Sequence, residues 1–316
     1  MSVSSVTATS KNTDSRTFWT GFALALLGAI CFSAKGVVVK LTYQYPGIDA
    51  VIIIGLRMLL SAPFFLVVAW LQARKARLGL IPKLSLKDSI KLVVLGFLGY
   101  YLSSFLAFVG LQYISAGLER VVLFLSPTFV LLITAFYFRR PIFWRQWLAL
   151  ALSYGGVVCV FLNDLSLSGD AVVLGAGFVL ASALSYAIYL IGSGEIMARV
   201  GATRLVAYAM LVSTVFTMAQ FFWVYSWQGL DLPWPVYQLS FIHATLNTVA
   251  PTFMIMWAVA RIGAPMTAQL GLIGPVSVLF LAAWLLDESI TPLQIVGTAF
   301  VLTGVVVLGL RPRART

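Results

Sequence analysis

Residues 264–306 read APMTAQLGLIGPVSVLFLAAWLLDESITPLQIVGTAFVLTGVV, and residues 116–158 read AGLERVVLFLSPTFVLLITAFYFRRPIFWRQWLALALSYGGVV. Shifted by 148 positions, the first stretch falls on the second. Ala116 meets Ala264, Pro127 meets Pro275, Ala135 meets Ala283, Gln146 meets Gln294 and Gly156 meets Gly304. Val130, Leu131 and Val157-Val158 meet Val278, Leu279 and Val305-Val306. Both stretches are two long apolar runs joined by a polar turn. The match continues outward. At the same shift Phe105 meets Phe253, and at a shift of 154 Gly21, Leu26, Ala29 and Phe32 meet Gly175, Leu180, Ala183 and Tyr186. The second half of the chain therefore repeats most of the first. A duplicated membrane-embedded chain suggests a site between two related halves, the layout of a carrier.

The solvent for most of this chain is lipid. Apolar residues make up 61% of it and charged residues 10%, against about 25% charged in soluble domains. A spanning helix needs about 20 apolar residues. Ten stretches qualify, near 18–39, 48–72, 88–111, 115–138, 142–162, 171–191, 204–227, 237–260, 264–286 and 291–310. They are long and continuous, not the alternating segments of about ten residues that build a β-barrel. The expected fold is an all-α integral membrane protein of ten transmembrane helices. Its parts are a disordered cytoplasmic N-terminus at 1–17, a five-helix repeat at 18–162, a second at 163–310 and a basic cytoplasmic tail at 311–316. Cys31 and Cys159 both fall in apolar segments and read as small packing residues, with neither a metal spacing nor a disulfide framework.

The net charge of +11 is explained by its distribution. Alternate loops collect Arg74, Lys75, Arg77, Lys83 and Lys87, then Arg139, Arg140 and Arg145, then Arg199 and Arg204, then Arg261, and the tail adds Arg311, Arg313 and Arg315. The other loops hold Asp49, Asp164, Asp170, Asp231, Asp287 and Glu288, with Lys40 the basic exception. The positive-inside rule then places both termini in the cytoplasm of a multi-pass inner (plasma) membrane protein, and no nucleic-acid partner is implied. Five spans per half turn the second half over. Arg139-Arg140 and Asp287-Glu288 occupy equivalent turns on opposite sides, so the two five-helix repeats are expected to be inverted.

This chain resembles the drug/metabolite transporter superfamily, and its EamA family in particular. The resemblance rests on Ser126-Pro127 and Gly274-Pro275, on Gln146 and Gln294 about 19 residues later, on Gly156 and Gly304 ten further on, and on the acidic turn Asp287-Glu288. It covers roughly residues 18–310. Arg139-Arg140 departs from it, since an acidic residue is common there in the family. Within the family the chain looks most like the YddG-type exporters of aromatic and other neutral amino acids.

Charges inside a span are costly and often functional. Arg57 lies about nine residues into its span, roughly 13 Å deep at ~1.5 Å per residue. It reads as an anchor for a substrate carboxylate or a gate partner, or else as a structural donor to carbonyls freed near Pro63. Lys35 reads as snorkelling to headgroups, and Glu119 as ion-paired to Arg120 near a span end. No acidic residue is expected at mid-membrane. The small four-span drug exporters that the fold resembles in half depend on a first-span glutamate, where this chain has Phe32, Ser33 and Ala34.

The expected substrate cavity comprises Ser33, Tyr100, Tyr101, Tyr186, Tyr189, His243, Asn247, Trp257 and Gln269, with Ser185 on the face of Tyr186. Aromatic faces flanked by hydrogen-bonding groups suit an amino-acid side chain. His243 reads equally as a helix–helix hydrogen bond, and Tyr43, Tyr45, Trp144, Trp147 and Trp234 as interfacial residues. Pro63, Pro127, Pro251 and Pro275 each remove a backbone bond within a span. The matched pair Pro127 and Pro275 are the expected hinges. Gly96, Gly99, Gly155, Gly156 and Gly297 suit close helix approach.

The expected function is export of amino acids and related small metabolites by alternating access. There is no cofactor, no ATP-binding motif, no enzyme-like constellation and no evident coupling-ion site. The expected partners are a small-molecule substrate and the lipid bilayer, and a monomer suffices. The alternative is a multidrug or toxic-cation exporter of the same fold, open to proton coupling, which would need a membrane-buried carboxylate; a carrier of sugar nucleotides or phosphorylated metabolites would need several basic residues in the cavity, where the sequence reading places only Arg57.

Overall fold

A computed structural model of the chain describes residues 6–137, 139, 143–168, 170–225 and 230–309. Arg140 and the basic tail at 311–316 lie outside the described residues. Those described form helices and turns, with no strand among them. Nine helices among them are long and apolar enough to cross a bilayer. They are α1 (Ser15–Tyr43), α2 (Ala50–Arg77), α3 (Leu86–Gly110), α4 (Ala116–Tyr137), α5 (Trp144–Ser166), α6 (Ala171–Val200), α7 (Ala202–Val224), α8 (Trp234–Gly263) and α9 (Met266–Leu286). The tenth expected span forms α10, whose apolar part, Pro292–Val307, is shorter.

The helix that becomes α1 begins at Val6, inside the stretch expected to be disordered. No proline or glycine stands between Val6 and Thr20, so nothing in the backbone stops the helix from extending toward the N-terminus. Short loops join the helices, and side chains close their ends. Asp49 caps α2 by accepting from the Ile52 N–H at 3.0 Å, and Ser115 caps α4 by accepting from Leu118 N–H at 3.0 Å.

Sequence-equivalent helices share their irregularities. α3 carries a π-helical segment at Phe97–Leu102 and α8 one at Thr245–Val249. The 148 shift carries Phe97 onto Thr245. π-bulges are rare and gather at functional sites, because the extra residue in the turn frees carbonyls and re-aims side chains. Neighbouring hydroxyls take up carbonyls at both places. Ser185 donates to Leu98 O at 2.8 Å, Ser103 to Gly99 O at 2.9 Å and Thr248 to His243 O at 2.9 Å. Ser185 is thus occupied with backbone and not free for a ligand.

α4 is interrupted between Leu123 and Ser126, and α9 between Leu270 and Ile273, again at repeat positions to within one residue. Pro127 and Pro275 lie in the first turn of the segments that follow. A helix start has no intrahelical partner for its N–H groups, so these prolines open new segments, whereas the sequence reading has them remove bonds inside continuous spans. Pro63 does sit inside a helix. The turns after α4 and α9 also match. Among the described residues the non-glycine positions with positive φ are Arg139 (51°) and Asp287 (54°), which are repeat partners despite their opposite charge.

Packing joins the halves helix by helix. α1 packs on α8, α2 on α7, α3 on α6, α4 on α9 and α5 on α10. Exchanging first-half helices for their second-half equivalents maps this set of pairs onto itself. Glycine sets the closest approach. A Cβ on Gly156 would lie 2.4 Å from Gly297 O, and one on Gly297 would lie 2.6 Å from Gly156 O. Gly96 and Gly99 are also close-contact positions, against α7 and Tyr189, whereas Gly155 faces open space.

At the face where α1 starts, Lys91 pairs with Glu195 at 2.9 Å and Arg199 with Asp88 at 2.8 Å, while Arg204 donates to Pro82 O at 2.7 Å. At the opposite face Lys40 donates to Ile114 O at 2.9 Å and lies 3.4 Å from Glu288, and Glu288 accepts from Ala116 N–H at 3.3 Å. These bonds surround a cavity of about 480 Å³ lined by Lys40, Gln112, Asp164, Glu288 and Gln294 among others. The Lys91–Glu195 pair is half exposed on both sides. Lys91→Met should therefore shift thermal unfolding in detergent by less than ~1 kcal/mol, the usual worth of such a pair.

Candidate functional site

Phe108, on α3, is fully buried and lies at the centre of a cationic cluster. The Arg57 guanidinium sits 5.2 Å from its ring centre, the Lys35 ammonium 5.8 Å, and the His243 ring 5.4 Å. Phe32 takes a second set: Lys35 at 5.7 Å and Arg120 at 5.7 Å. The negative ring faces favour cations, the more so away from water. Lys35 comes from α1, Arg57 from α2, Arg120 from α4 and His243 from α8, so four helices converge.

Many polar atoms here have no partner. Arg57 is 4% exposed and its Nε and Nη2 meet no acceptor. That excludes the reading in which these two groups satisfy carbonyls near Pro63. Both His243 nitrogens, Asn247 Nδ2, Arg120 Nε and Glu119 Oε1 are likewise buried and unpartnered. The expected helix–helix bond of His243 is not made. Arg120 donates from Nη2 to Ser33 Oγ at 2.8 Å, and Ser33 donates to Ala29 O at 2.7 Å. Buried polar groups are normally bonded, so this concentration marks a place built for something other than packing.

A tyrosine group adjoins the cations. Tyr100 and Tyr189 hydroxyls lie 3.3 Å apart, and Tyr186 stacks on Tyr189 at 5.5 Å. Tyr186 interacts electrostatically with both Tyr100 and Arg120, which links the two groups. The absence of a Cβ on Gly99 makes room for Tyr189, since one would lie 2.3 Å from its ring. Tyr100 belongs to one π segment and Asn247 to the other. Among the described residues no group of three His, Cys, Asp or Glu side chains is placed to hold a metal ion.

The sequence pattern of EamA-like transporters matches residues 19–162 and again 173–310. The chain belongs to the EamA-like transporter family. The double match agrees with the paired π segments and paired interruptions. Among relatives, the uncharacterized transporter YcbK of Bacillus subtilis is 30% identical over 293 residues, covering 90% of this chain and 92% of that protein. A probable terminal-alkyne amino-acid exporter of Streptantibioticus cattleyicolor is 27% identical over 218 residues, covering 65% of this chain and 68% of that one. A solved crystal structure with 16% identity superposes with a TM-score of 0.58 over 93% of this chain and 96% of the other, a likeness of fold.

In this EamA-like transporter several expected site residues lie elsewhere. Trp257 is 53% exposed and Gln269 is exposed, both outside the enclosed cluster. Tyr101 turns from Tyr100 toward Phe97, Phe105 and Phe216, because successive helical residues point about 100° apart. Tyr43, expected at the interface, donates to Phe108 O at 2.6 Å and helps hold the cluster. Trp144, Trp147 and Trp234 are exposed.

Three charged residues of the EamA-like site escape the sequence reading. Lys35 does not snorkel. α1 runs on to Tyr43, two turns beyond it, and carries it into the interior. Glu119 is 1% exposed, a buried carboxylate where none was expected. No ion pair joins it to Arg120 among the described residues, because Arg120 turns to Ser33 and Phe32. The first turn of α4 is itself covered: Asp164 accepts from Ser115 N–H at 2.8 Å and Glu288 from Ala116 N–H.

Proposed function

We propose that this EamA-like transporter is a carrier that exports amino acids or related small metabolites from the cytoplasm, by alternating access around the Phe108 cluster. The observation that carries this reading is the pair of π segments at matched positions. Tyr100 and Asn247, one from each half, belong to these segments, and the Asn247 amide is buried with its Nδ2 unpartnered. A site built from both halves changes its exposure when the halves move against each other. The self-consistent exchange of helix pairs supports two inverted five-helix repeats with α10 as the tenth span. The loop charges support cytoplasmic termini in the inner membrane. The α4 and α9 interruptions at Pro127 and Pro275 are the proposed hinges. Arg57 is the proposed anchor for a substrate carboxylate, and the name of the Streptantibioticus relative is in keeping with an amino acid as cargo. Transport is proposed to be facilitated and uncoupled, with a monomer in lipid as the working unit.

Counterflow of radiolabelled amino acids in proteoliposomes tests this. Tyr100→Ala and Asn247→Ala should each lower the rate about tenfold, as loss of one good substrate hydrogen bond does, with normal elution on size exclusion. Unchanged transport in either variant removes that residue from the site. Uphill transport driven by a pH gradient alone would refute uncoupled export.

Glu119 gives the multidrug or toxic-cation reading the buried carboxylate it needs. Lys35 and Arg120 weigh against it, since both act electrostatically on Glu119 and oppose a cationic cargo. A counterflow screen of amino acids against lipophilic cations separates the two.

A further inference from the structure

The charge in the buried cluster is unbalanced. Lys35, Arg57 and Arg120 supply three positive charges and Glu119 one negative, and these groups act on one another electrostatically. Against that one carboxylate, the two further cations leave two positive charges in excess. The side chains that meet these cations are apolar or neutral: Phe32, Phe108, Ser33 and Tyr186. Cations inside a membrane protein are retained where they pair with something, and among the described residues Glu119 is the anionic group that acts on them.

The free atoms have a shape. Nε and Nη2 of Arg57 form one edge of the guanidinium, the edge that grips a carboxylate or phosphate with two parallel hydrogen bonds. Both are buried and without a hydrogen-bond acceptor from the described residues. Arg120 is 7% exposed, and its Nε is likewise unpartnered while its Nη2 is fixed by Ser33. Its head lies against Gly274, where a Cβ would come within 2.8 Å of Nη2. The Gly274-Pro275 segment therefore touches the cation directly. Lys35 is partly buried, with its ammonium against the Phe32 and Phe108 rings.

We propose that the Phe108 cluster binds a small dianion, with two carboxylates or one phosphate ester meeting Arg57, Lys35 and Arg120. Such a cargo neutralises the excess charge, whereas a neutral zwitterion leaves it in place. The proposal rests on the reading of this cluster as the substrate site and narrows the substrate to a net-anionic metabolite. Glu119 limits the excess to two charges and so tunes the site toward dianions.

The test uses the full-length protein. Binding of succinate, glycerol 3-phosphate and L-phenylalanine is measured by titration calorimetry at constant chloride and ionic strength, and each is then assayed by counterflow in proteoliposomes. At least one dianion should bind ten times or more tightly than L-phenylalanine and show counterflow. Succinate against glycerol 3-phosphate tells the dicarboxylate from the phosphate. Lys35→Gln and Arg120→Gln should each weaken dianion binding ~10-fold, as loss of a charge-assisted bond does. Glu119→Gln should instead tighten dianion binding, a gain that a purely structural role would not give and that keeps the test valid if the cation variants misfold. Counterflow of L-phenylalanine without binding of either dianion overturns the dianion proposal and leaves the amino-acid carrier standing. Dianion binding that is indifferent to all three substitutions overturns the assigned site. Absence of binding and counterflow for all three probes overturns both readings.

Discussion

Gly156→Val should leave little folded transporter. The first atom of the new side chain would lie 2.4 Å from Gly297 O and 2.8 Å from Val301 Cγ2. The nearest obstacle is backbone, which cannot rotate away, and the Gly297 side of the contact is as tight. Accommodation requires α5 and α10 to separate along their length. Overpacking of a well-packed interior costs about 1–3 kcal/mol and sometimes more, and a whole isopropyl group added at a backbone-to-backbone contact places this variant at ~3 kcal/mol or above. No hydrophobic effect drives helices together in lipid, so close packing holds this pair. Detergent extracts followed by size exclusion should show loss of the monodisperse peak and a lower melting temperature. Gly155→Val, one residue away and facing open space, should behave like the parent protein. Equal melting of the two variants would contradict the α5–α10 contact.

Phe108→Ala should damage both stability and transport. The ring is fully buried, and truncating such a phenylalanine costs about 3–5 kcal/mol. It also removes the surface against which Arg57, Lys35 and His243 rest. Phe108→Leu separates the two effects. It restores most of the volume but not the ring face, and cation–π contacts are worth about 0.5–2 kcal/mol each. Phe108→Leu should therefore fold and melt near the parent temperature while transport falls about 2- to 30-fold. Parent-like transport by a folded Phe108→Leu protein would show that the ring only fills space.

The duplication and the apolar spans were readable in sequence because lipid imposes a long, continuous signal that survives duplication. Arg57, Tyr100 and Asn247 were readable for a related reason: polar residues deep within apolar runs stand out. Facing direction was not. A helix that is apolar all round carries no stripe to fix its rotation, so the exposed Trp257 and Gln269 were grouped with the buried polar residues, and Tyr101 with Tyr100. Depth near the span ends failed for a different reason. Lys35 and the Glu119–Arg120 step lie next to stretches that read as loop, while the helix continues past Lys35 and other loops cover the start of α4. The π segments leave no propensity signature. Their trace in sequence is indirect, in the hydroxyl residues Ser103, Ser185 and Thr248 that take up their carbonyls.

The π segments also bear on ancestry. An irregularity at the same register in both copies is most simply inherited from the single unit that was copied. The charges are distributed otherwise. Under the same alignment Lys35 faces Tyr189, Glu119 faces Thr267 and Arg120 faces Ala268. The irregularities that bend the helices are thus common to both copies, while the buried charges of the Phe108 cluster belong to one of them. On the proposed site, cargo would diversify among descendants through substitutions in a single half, with the shared bends left as they are.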